Sequence, residues 1–508
     1  MDQSENVFND DRDPAIRKLV IVGGGTAGWL TALFFSRYLM RRVEIVVVAT
    51  STLPPMSVGE ATNGPFTNFL NSLGISDADL VRECDATIKI ASEFSQWHRP
   101  NQGYRWVHEF QPTQTYLGIP MFHIWLRAHR RGLIQSNYQN SCFNTAALVK
   151  HCKLPFSGPG DENNWPHGFH FDTNKVIAFL QRRALNAGVQ WIDATVSDVA
   201  INEGGKISHL LLGDDHKLQG EFFVDCSGFR RIIMDRAYGK DFENFSDNIL
   251  CDSAVAVTLP RNLTDIRPST LGTAMESGWI WDIPLSDRTS YGYVYASRFE
   301  DDESAESALL RFLKVPRTTP AAKLKWIPGM QKNAWRGNCV CIGVSNSFYE
   351  PIESLTSATL TVELRNLLVH FPDRNFNPFN IDKYNAKIRK QCYHNRDFIS
   401  THYLTAGRDD SPFWRAVSRE CKQSDDVREL INSYPHQAPH TGVEIYDLKA
   451  FYGMFTSRGI LPKAELPLLD YLDIQPAMRT MQTNLAVNAG VKTTHLSHTA
   501  YLKQVVDS

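Results

Sequence analysis

The sequence predicts an α/β protein with a Rossmann-type unit at its front and a mainly helical region at its end. Three observations support this fold class. The chain opens on a strand, a glycine turn, a helix and a second strand. Strand-like segments recur through the middle, most densely from about 250 to 297. Beyond about residue 380, helical patterns prevail.

The first unit carries a glycine fingerprint in the setting that it requires. An apolar strand at 19–22 leads into Gly23-x-Gly25-x-x-Gly28, and a predicted helix at 29–40 and a strand at 43–48 follow. Gly23 permits the tight turn, Gly25 lets the backbone approach a pyrophosphate, and Gly28 allows close helix–strand packing. Because the helix N-terminus then faces the phosphates, a dinucleotide site is favoured over a simple glycine turn.

One part of the fingerprint is missing. An acidic residue normally ends the second strand and holds the ribose, but residues 47–50 read Val-Val-Ala-Thr, and Glu44 lies too early in the strand. Other residues must therefore bind the ribose, or the affinity for the nucleotide is lower. A lower affinity suits a cofactor that diffuses in and out of its site.

The remaining elements predict a body assembled from separated segments. Helices are predicted over 78–97 and 174–187, and a short strand over 340–344 before a loop at 345–354. Strands of one sheet are predicted over 189–201, 206–212 and 221–224. The expected division is a polar extension (1–17), a discontinuous nucleotide-binding body (18–380) and a mainly helical substrate region (381–508).

Composition excludes several classes of protein. The 508 residues carry 53 basic and 55 acidic side chains, so nothing indicates a nucleic acid or an anionic membrane as partner. Nine scattered cysteines without a Cys-x-x-Cys pair argue against a zinc site or a disulfide framework and favour the cytoplasm. The uncharged stretch 19–36 contains four glycines, which favours a strand, a turn and a buried helix over a membrane span. His167 and His170 lack a carboxylate to complete a metal site, so no metal is expected.

Two further segments narrow the assignment to a family. Residues 278–284, Gly-Trp-Ile-Trp-Asp-Ile-Pro, resemble the Trp-x-Trp-x-Ile-Pro signature of flavin-dependent tryptophan and indole halogenases. Residues 349–354, Tyr-Glu-Pro-Ile-Glu-Ser, resemble that family's Glu-Pro-Leu-Glu-Ser segment. Similar stretches occur in the family's order at 57–62, 225–228, 250–254 and 411–414. The resemblance implies a flavin monooxygenase-like fold.

The resemblance implies a two-component reaction. A separate NAD(P)H-dependent flavin reductase supplies FADH2, and FADH2 with oxygen converts bromide or chloride to hypohalous acid. That oxidant moves to Lys89, which occupies the family's lysine position, while Glu353 occupies the position of its essential glutamate. Flanking Ile88 and Ile90 would partly desolvate Lys89 and lower its pKa. Its amine could then hold the halogen as a haloamine or donate a hydrogen bond to hypohalous acid. Glu353 could polarise the oxidant or take the proton that the ring loses.

The resemblance also implies binding residues. The halide would lie at the backbone amides of Leu355 and Thr356, and an indole-like substrate at His108, Phe110 and Ser354. The FAD contacts expected are Gly23, Gly25, Thr26, Ala27, Gly28, Ala49, Val58, Gly59, Glu60, Ala61, Val196, Ile342 and Gly343.

Each of these residues has a plainer interpretation. Lys89 with Asp85 four positions earlier would usually be a solvated pair on a helix. Glu353 alone would more often be a loop or helix-cap carboxylate, and His108 a buried histidine with satisfied hydrogen bonds. Core packing explains Trp279 and Trp281 equally well.

Departures from the family limit the expected substrate and halide. The family usually continues Thr-Gly after the Glu-Ser pair, whereas this chain reads Leu355-Thr356-Ser357. The segment that grips free tryptophan in the family is different at 442–453, where Glu444, Tyr446 and Tyr452 are the candidates for ligand contacts. An indole is therefore expected rather than free tryptophan. Bromide is easier to oxidise than chloride, so a preference for bromide would be chemically unsurprising.

Two alternatives remain at this point. A single-component flavin hydroxylase usually carries a late Gly-Asp pair, and residues 341–346, Cys-Ile-Gly-Val-Ser-Asn, contain no Asp. A flavin-binding protein without catalysis would not need both Lys89 and Glu353. Regioselectivity, halide order, the identity of the reductase and the oligomeric state stay open, a homodimer among the possibilities.

Overall fold

The computed structural model describes residues 14–52, 59–100, 103–162, 165–213, 216–261, 265–436 and 448–508. The strands are β1 (Lys18–Val22), β2 (Glu44–Val48), β3 (Gly59–Ala61), β4 (Thr87–Lys89), β5 (Ala91–Ser95), β6 (Arg105–Glu109), β7 (Thr115–Tyr116), β8 (Ile119–Pro120), β9 (Gly168–Asp172), β10 (Gln190–Ile192), β11 (Val196–Ile201), β12 (Ile207–Leu212), β13 (His216–Gln219), β14 (Phe222–Asp225), β15 (Phe242–Asn244), β16 (Ser253–Pro260), β17 (Ser269–Ala274), β18 (Gly278–Pro284), β19 (Arg288–Tyr295), β20 (Ala322–Lys325), β21 (Gly329–Gln331), β22 (Trp335–Arg336), β23 (Cys339–Cys341) and β24 (Ser347–Phe348).

The helices are α1 (Thr26–Leu39), α2 (Gly64–Ser72), α3 (Asp77–Cys84), α4 (Met121–Arg130), α5 (Tyr138–Cys142), α6 (Thr145–Lys150), α7 (Thr173–Asn186), α8 (Met234–Tyr238), α9 (Asp302–Leu313), α10 (Leu355–Val369), α11 (Pro378–Leu404), α12 (Pro412–Arg419), α13 (Asp425–Ser433), α14 (Leu448–Ser457), α15 (Gln475–Thr494) and α16 (His498–Asp507). Two 3-10 turns, Gly343–Ser345 and Ile352–Ser354, border the candidate site described below.

A six-stranded sheet in the order β10-β2-β1-β14-β23-β22 forms the Rossmann-type unit. All neighbouring pairs are parallel except the edge pair β22–β23. Successive residues of β1 enter different cores, Leu19 and Ile21 on one face and Val20 and Val22 on the other. This explains why the strand reads as a continuous apolar run, because both faces of a parallel sheet are covered. The predicted α/β fold is confirmed.

A second sheet of seven strands, β20-β16-β19-β18-β17-β5-β6, holds the strand-rich middle of the chain. Its face that carries Ile280 packs against α9 through Leu309 and Leu310. Trp279 and Trp281 point to the opposite face and are buried there. The two tryptophans therefore share one face of β18 and pack in the core, as their plainer interpretation has it.

The prediction of a helix over 78–97 is wrong beyond residue 84. Helix α3 ends at Cys84, where Asp85 adopts the left-handed conformation with φ +53, and the strands β4 and β5 follow. The β-branched residues Thr87, Ile88 and Ile90 favour strands because their side chains pack well on a pleated surface. Lys89 therefore lies in a strand. The helical pair with Asp85 does not form, since Asp85 contacts Lys175 and Arg288.

The strands predicted for one sheet between 189 and 224 divide between two sheets. β10 and β14 belong to the six-stranded sheet, whereas β11, β12 and β13 form a separate antiparallel sheet. The reason is local, because short connections join β11, β12 and β13 as antiparallel neighbours. The predicted strand at 340–344 is shorter, since β23 ends at Cys341 and a 3-10 turn begins at Gly343.

The last third of the chain is largely helical, as predicted. Helix α14 packs on β6, α15 packs on α4, α5 and α6, and α16 packs on α3. The C-terminal helices thus pack back on β6 and on helices from the first third of the chain. Within the described ranges, no helix is both long and apolar enough to cross a membrane. All nine cysteines are free.

Two glycines of the fingerprint give a matched test of the fold. A Cβ on Gly28 would lie 1.9 Å from the carbonyl oxygen of Gly23, whereas one on Gly25 would meet nothing within 4 Å. We expect Gly28→Ala to lower the free energy of unfolding by about 1–3 kcal/mol because backbone must shift. Gly25→Ala should fold normally and bind FAD about tenfold more weakly, because its methyl group occupies the approach to the helix. Thermal melts and FAD titrations of both variants check this, and equal Tm values would contradict it.

Candidate active site

One cavity of about 1180 Å³ connects the glycine turn with Lys89 and Glu353. Of the expected FAD contacts, those that line it are Gly23, Gly25, Thr26, Ala27, Ala49, Gly59, Glu60, Ala61, Val196 and Gly343. Gly28 and Ile342 lie behind this wall, where Ile342 donates its N–H to the carbonyl of Asp225. Val58 lies outside the described residues. The tryptophans at 279 and 281 line the same cavity.

The glycine turn fits a dinucleotide phosphate. Gly23 has φ +125, and a Cβ there would lie 2.2 Å from the carbonyl oxygen of Cys226. Gly28 packs against Gly23 from behind, while the space in front of Gly25, at the start of α1, is open. The first N–H groups of a helix have no partner within it, and they attract an anion. The residues present therefore fit the pyrophosphate of FAD.

A buried glutamate, Glu363, holds another part of the cavity wall. The sequence did not single it out. Glu363 accepts hydrogen bonds from Gly343 N–H and Asn346 Nδ2, both at 2.7 Å. Burial raises the pKa of Glu363 to about 8. The contact fixes Gly343 at φ +66, next to Ala27. A polar residue at a buried position of α10 is the signal that identifies it.

The end of β2 shows how the nucleotide region is built without the usual acid. Trp191 Nε1 donates to the carbonyl of Ala49 at 3.0 Å, and Ser51 donates through its N–H and Oγ to Asp193. Ala49, Ser51 and Trp191 all line the cavity. Trp191 was another residue that the sequence did not single out.

The strand that carries Lys89 is fixed from both sides. Ile88 and Lys89 pair with Phe169 and Gly168 of β9. His498 of α16 accepts the Ile88 N–H at Nε2, at 2.9 Å, and its Nδ1 lies 3.1 Å from the carbonyl of Ile266. Burial lowers the pKa of His498 to about 3, so the ring stays neutral and acts as acceptor and donor. The C-terminal helix thereby sets the position of Lys89.

The Lys89 amine is enclosed. Its side chain is 0% exposed, and Nζ donates to Ser354 Oγ at 2.8 Å and lies 5.3 Å from the ring centroid of Phe110. Burial lowers the pKa of Lys89 to about 8, with the charge of Glu353 opposing this effect. A substantial fraction of the amine is therefore neutral near pH 8.

Glu353 lies in a turn with unusual backbone angles. Glu353 and Ser354 have φ +60 and φ +57, in the left-handed region that non-glycine residues rarely adopt. Such a residue costs about 1–3 kcal/mol and persists only where the surroundings enforce it. The two consecutive left-handed residues direct Glu353 toward His108 and Ser354 toward Lys89.

Two histidines hold the Glu353 carboxylate. Oε1 lies 2.7 Å from His108 Nδ1 and 3.2 Å from His402 Nε2. Burial by itself would raise the pKa of Glu353, but the two histidines outweigh it and hold that pKa well below its usual range. Burial lowers the pKa of His402 to about 4. His402 was missed by sequence reasoning, although a polar residue at a buried position of α11 was a usable signal.

The expected substrate residues lie apart from the glycine turn. His108 and Phe110 do not line the large cavity, but His108 contacts Glu353 and Phe110 contacts Lys89. Phe398 lies 6.0 Å from His108, between ring centroids, and extends this aromatic wall. Lys89 and Glu353 therefore stand between the cavity and an aromatic region.

The expected halide residues open helix α10. Leu355 has φ −68 and is buried, and Thr356 lines the cavity. The family's glycine would fall at 356, where it is not required because Thr356 lies within the helix α10. The first amides of α10 have no partner within the helix and are free to face an anion.

Other candidate residues serve different contacts. His167 Nε2 forms a hydrogen bond with Asp77 Oδ2 at 2.7 Å. The two ring nitrogens of His170 form hydrogen bonds with the hydroxyls of Thr87 and Thr270. No group of three metal-ligating side chains occurs in the part of the chain that the structure describes. Tyr452 stacks on Phe122 at 4.1 Å between ring centroids, inside the core. Glu444 and Tyr446 lie outside the described residues.

Comparisons with known proteins agree on one family. The family profile described as tryptophan halogenase matches residues 18–473. The tryptophan 6-halogenase ThaL of Streptomyces albogriseolus is 32% identical over 494 residues, covering 90% of this chain and 92% of ThaL. The tryptophan 7-halogenase RebH of Lentzea aerocolonigenes is 32% identical over 456 residues, covering 87% and 86%.

Solved structures agree in fold. BrvH, a flavin-dependent halogenase from Brevundimonas sp. BAL3, superposes with a TM-score of 0.88 at 30% identity, covering 97% of this chain and 100% of BrvH. Tar14, a tryptophan C-6 flavin-dependent halogenase from taromycin biosynthesis, superposes with a TM-score of 0.89 at 28% identity, covering 96% and 99%.

Ser354 allows backbone strain and side-chain contact to be separated. Ser354→Gly and Ser354→Ala both remove the Oγ that Lys89 contacts, but only glycine adopts φ +57 without strain. We expect the glycine variant to be more stable than the alanine variant by about 1 kcal/mol. Denaturant unfolding of the two variants checks this, and equal stabilities would mean that the turn is not strained.

Proposed function

Since this chain belongs to the tryptophan halogenase family and is a flavin-dependent halogenase, we propose that Lys89 and Glu353 carry its chemistry and that indoles are its substrates. Reduced FAD, together with oxygen, supplies the oxidant that converts halide to hypohalous acid. The observation that supports the proposal is the buried contact of Lys89, Ser354 and Glu353 between the cavity and the aromatic region.

Lys89 hands the halogen to the substrate. In one form of the step, the neutral amine attacks hypohalous acid, an N–X bond forms, and water leaves. In the other, the ammonium donates a hydrogen bond to hypohalous acid and polarises its O–X bond. The lowered pKa of Lys89, about 8, supports both forms near neutral pH, because both protonation states are populated.

Glu353 takes the proton that the aromatic carbon loses when its bond to the halogen has formed. A carboxylate that is ionised at neutral pH can accept this proton, and the histidines at 108 and 402 keep Glu353 ionised. The proton then returns to the Lys89 amine, or it joins the departing hydroxide to form water. The enclosed position of both groups limits loss of the oxidant to bulk water.

The proposed substrate is an indole that lacks the free amino-acid group of tryptophan. His108, Phe110 and Phe398 form an aromatic wall, and an aromatic contact of this kind contributes roughly 1 kcal/mol. Two described residues of the stretch that grips tryptophan in the family are engaged elsewhere. Lys449 donates to the carbonyl of Gln111, and Tyr452 stacks on Phe122. We also propose that bromide is used in preference to chloride.

The family and the cysteines support a proposal for the partner enzyme and for the cellular location of this protein. The family typically uses a separate flavin reductase, and we propose an NAD(P)H-dependent one here. Nine free cysteines fit the reducing cytoplasm. A homodimer is a further expectation, which the size of the protein in solution would test.

Removing either reactive group should stop halogenation. We expect Lys89→Ala and Glu353→Ala to lower turnover at least about 100-fold, because each removes a positioned proton or halogen carrier. The assay supplies FAD, reductase, NADH, oxygen and bromide, and follows brominated indole by mass spectrometry. Lys217→Ala, on the exposed strand β13, is the matched control and should keep full turnover. Full activity in either active-site variant, with folding intact, would contradict the proposed roles.

Substrate and halide preference form a second test. We expect kcat/KM for indole to exceed that for tryptophan at least about tenfold, because tryptophan must leave its ammonium group unpaired. With equal bromide and chloride, the brominated product should dominate. A reversed substrate order would mean that the charged groups of tryptophan find partners in the protein.

A further inference from the structure

Arg458, just beyond the end of α14, is a buried guanidinium without a counter-ion among the residues that the structure describes. The residue is 4% exposed, and Nε, Nη1 and Nη2 have no hydrogen-bond partner among the described residues. Burial lowers the pKa of Arg458, and hydrogen-bonding and charge interactions with the Tyr104 side chain oppose this. Tyr104 is a neutral residue at neutral pH, so it does not supply a counter-charge. A guanidinium nevertheless stays protonated in proteins. An unpaired buried charge is among the least favourable arrangements in a folded chain.

Other buried arginines of the chain are paired. Arg127 is 4% exposed and contacts Glu465 at 2.7 Å and Asp470 at 3.0 Å. Arg408 is 7% exposed and contacts Asp410 at 2.6 Å. Arg458 departs from this rule, so its missing partner needs an explanation beyond ordinary packing.

Two neighbouring groups also carry polar atoms without partners. Trp106 of β6 faces α14, where a Cβ on Gly453 would lie 3.0 Å from Trp106 Nε1. Neither that indole N–H nor Nδ1 of His402 has a hydrogen-bond partner among the residues placed in the structure. The ring centroids of Trp106 and His402 are 5.4 Å apart, and the charge of Arg458 helps to lower the pKa of His402. One contact between α14, β6 and α11 thus holds a cation and an indole N–H donor, neither of which has an acceptor among the described residues. Nδ1 of His402 is itself an acceptor, because the N–H of this neutral ring is on the Nε2 that faces Glu353.

We propose that this contact binds a small monovalent anion, either a free halide or the carboxylate group of an aromatic acid. A single negative charge matches the one guanidinium, and an anion accepts hydrogen bonds without needing to donate any. A water molecule would satisfy a donor but would leave the charge unbalanced. A dianion such as phosphate would add an uncompensated charge in a buried place.

The site is separate from the amides of Leu355 and Thr356. His402 stands between Glu353 and Trp106, because its Nε2 lies 3.2 Å from Glu353 Oε1 and its ring centroid lies 5.4 Å from that of Trp106. An anion beside Arg458 would bind next to the proposed halogenation site without facing the flavin cavity, since neither Arg458 nor Trp106 lines that cavity. The proposal does not depend on the roles assigned to Lys89 and Leu355, so it can fail or hold independently of them.

The test measures the Tm of the full-length protein without flavin. The Tm is compared between plain buffer and buffer that contains sodium bromide, sodium indole-3-acetate or neutral indole. A ligand that binds only the folded state raises the Tm, by roughly 1–2 °C at about ten times its Kd for a chain of this size. We expect the wild type to respond to bromide or indole-3-acetate, and Arg458→Met to lose that response. Exposed Arg419→Met on α12 is the matched control and should respond like the wild type.

The two sources of the anion give different patterns. A bromide response that Arg458→Met abolishes identifies a free halide. A response to indole-3-acetate that exceeds that to indole, and is lost in Arg458→Met without a bromide response, identifies a carboxylate. Equal responses of wild type and Arg458→Met to both anions would overturn the proposal. In buffer without either anion, Arg458→Met should melt at or above the Tm of the wild type, because an unpaired charge is removed.

A second variant covers the case in which Arg458→Met does not fold. Trp106→Phe keeps an aromatic ring but removes the indole N–H, and we expect it to weaken the anion response roughly three- to tenfold in Kd. An unchanged Kd in Trp106→Phe would overturn the proposed site, because the indole N–H is the donor that the site adds to Arg458. A purely structural Arg458, held by Tyr104, would instead lower the Tm of Arg458→Met by the same amount in every buffer, which also overturns the proposal.

Discussion

The structure depends on one constraint: the Lys89 amine and the Glu353 carboxylate must both be kept out of water and beside each other. Charged groups in this position are unfavourable unless each has a partner. Ser354 Oγ accepts from Lys89, and two histidines contact Glu353. The low dielectric that makes burial costly also lowers the pKa of the lysine and strengthens the contacts of the carboxylate. The lowered pKa of Lys89 and the ionised state of Glu353 are therefore both consequences of the same buried arrangement.

Much of the surrounding architecture serves that constraint. Strand β4 presents Lys89 from one side, and His498 of the C-terminal helix locks the peptide before it. The left-handed pair Glu353–Ser354 presents the two partner side chains from the other side. Behind the turn, the first amides of α10 have no partner within the helix, and Glu363 of the same helix holds Gly343 in the wall of the cavity. The cavity and the aromatic region then meet only through side chains whose positions are fixed by several elements at once.

The sequence predicted what depends on local patterns and on family motifs. The glycine fingerprint and the apolar strand before it were sufficient for the βαβ unit. A Cβ on Gly23 or on Gly28 would lie 2.2 Å or 1.9 Å from a backbone carbonyl oxygen, so both positions require glycine. The motifs placed Lys89 and Glu353 together, at the cavity where the structure has them. The helix predicted over 78–97 failed because strand pairing with β9 and β17 overrides the local helical pattern. His402, Trp191 and Arg458 became visible only through tertiary contacts, since a single buried polar residue in a helix does not reveal its partner. Val58 and most of the stretch 442–453 lie outside the described residues, so their predicted contacts stay predictions.

The central claim is that burial poises the Lys89 amine near neutral pH. Its most direct test is the titration of Lys89 by NMR in protein labelled at lysine side chains, with Lys89→Arg used to assign the signal. The account predicts a pKa of about 8, well below the ordinary 10.5 of lysine. A Lys89 signal that titrates at about 10.5 with the exposed lysines would show that the amine is solvated and fully charged, and it would contradict the account.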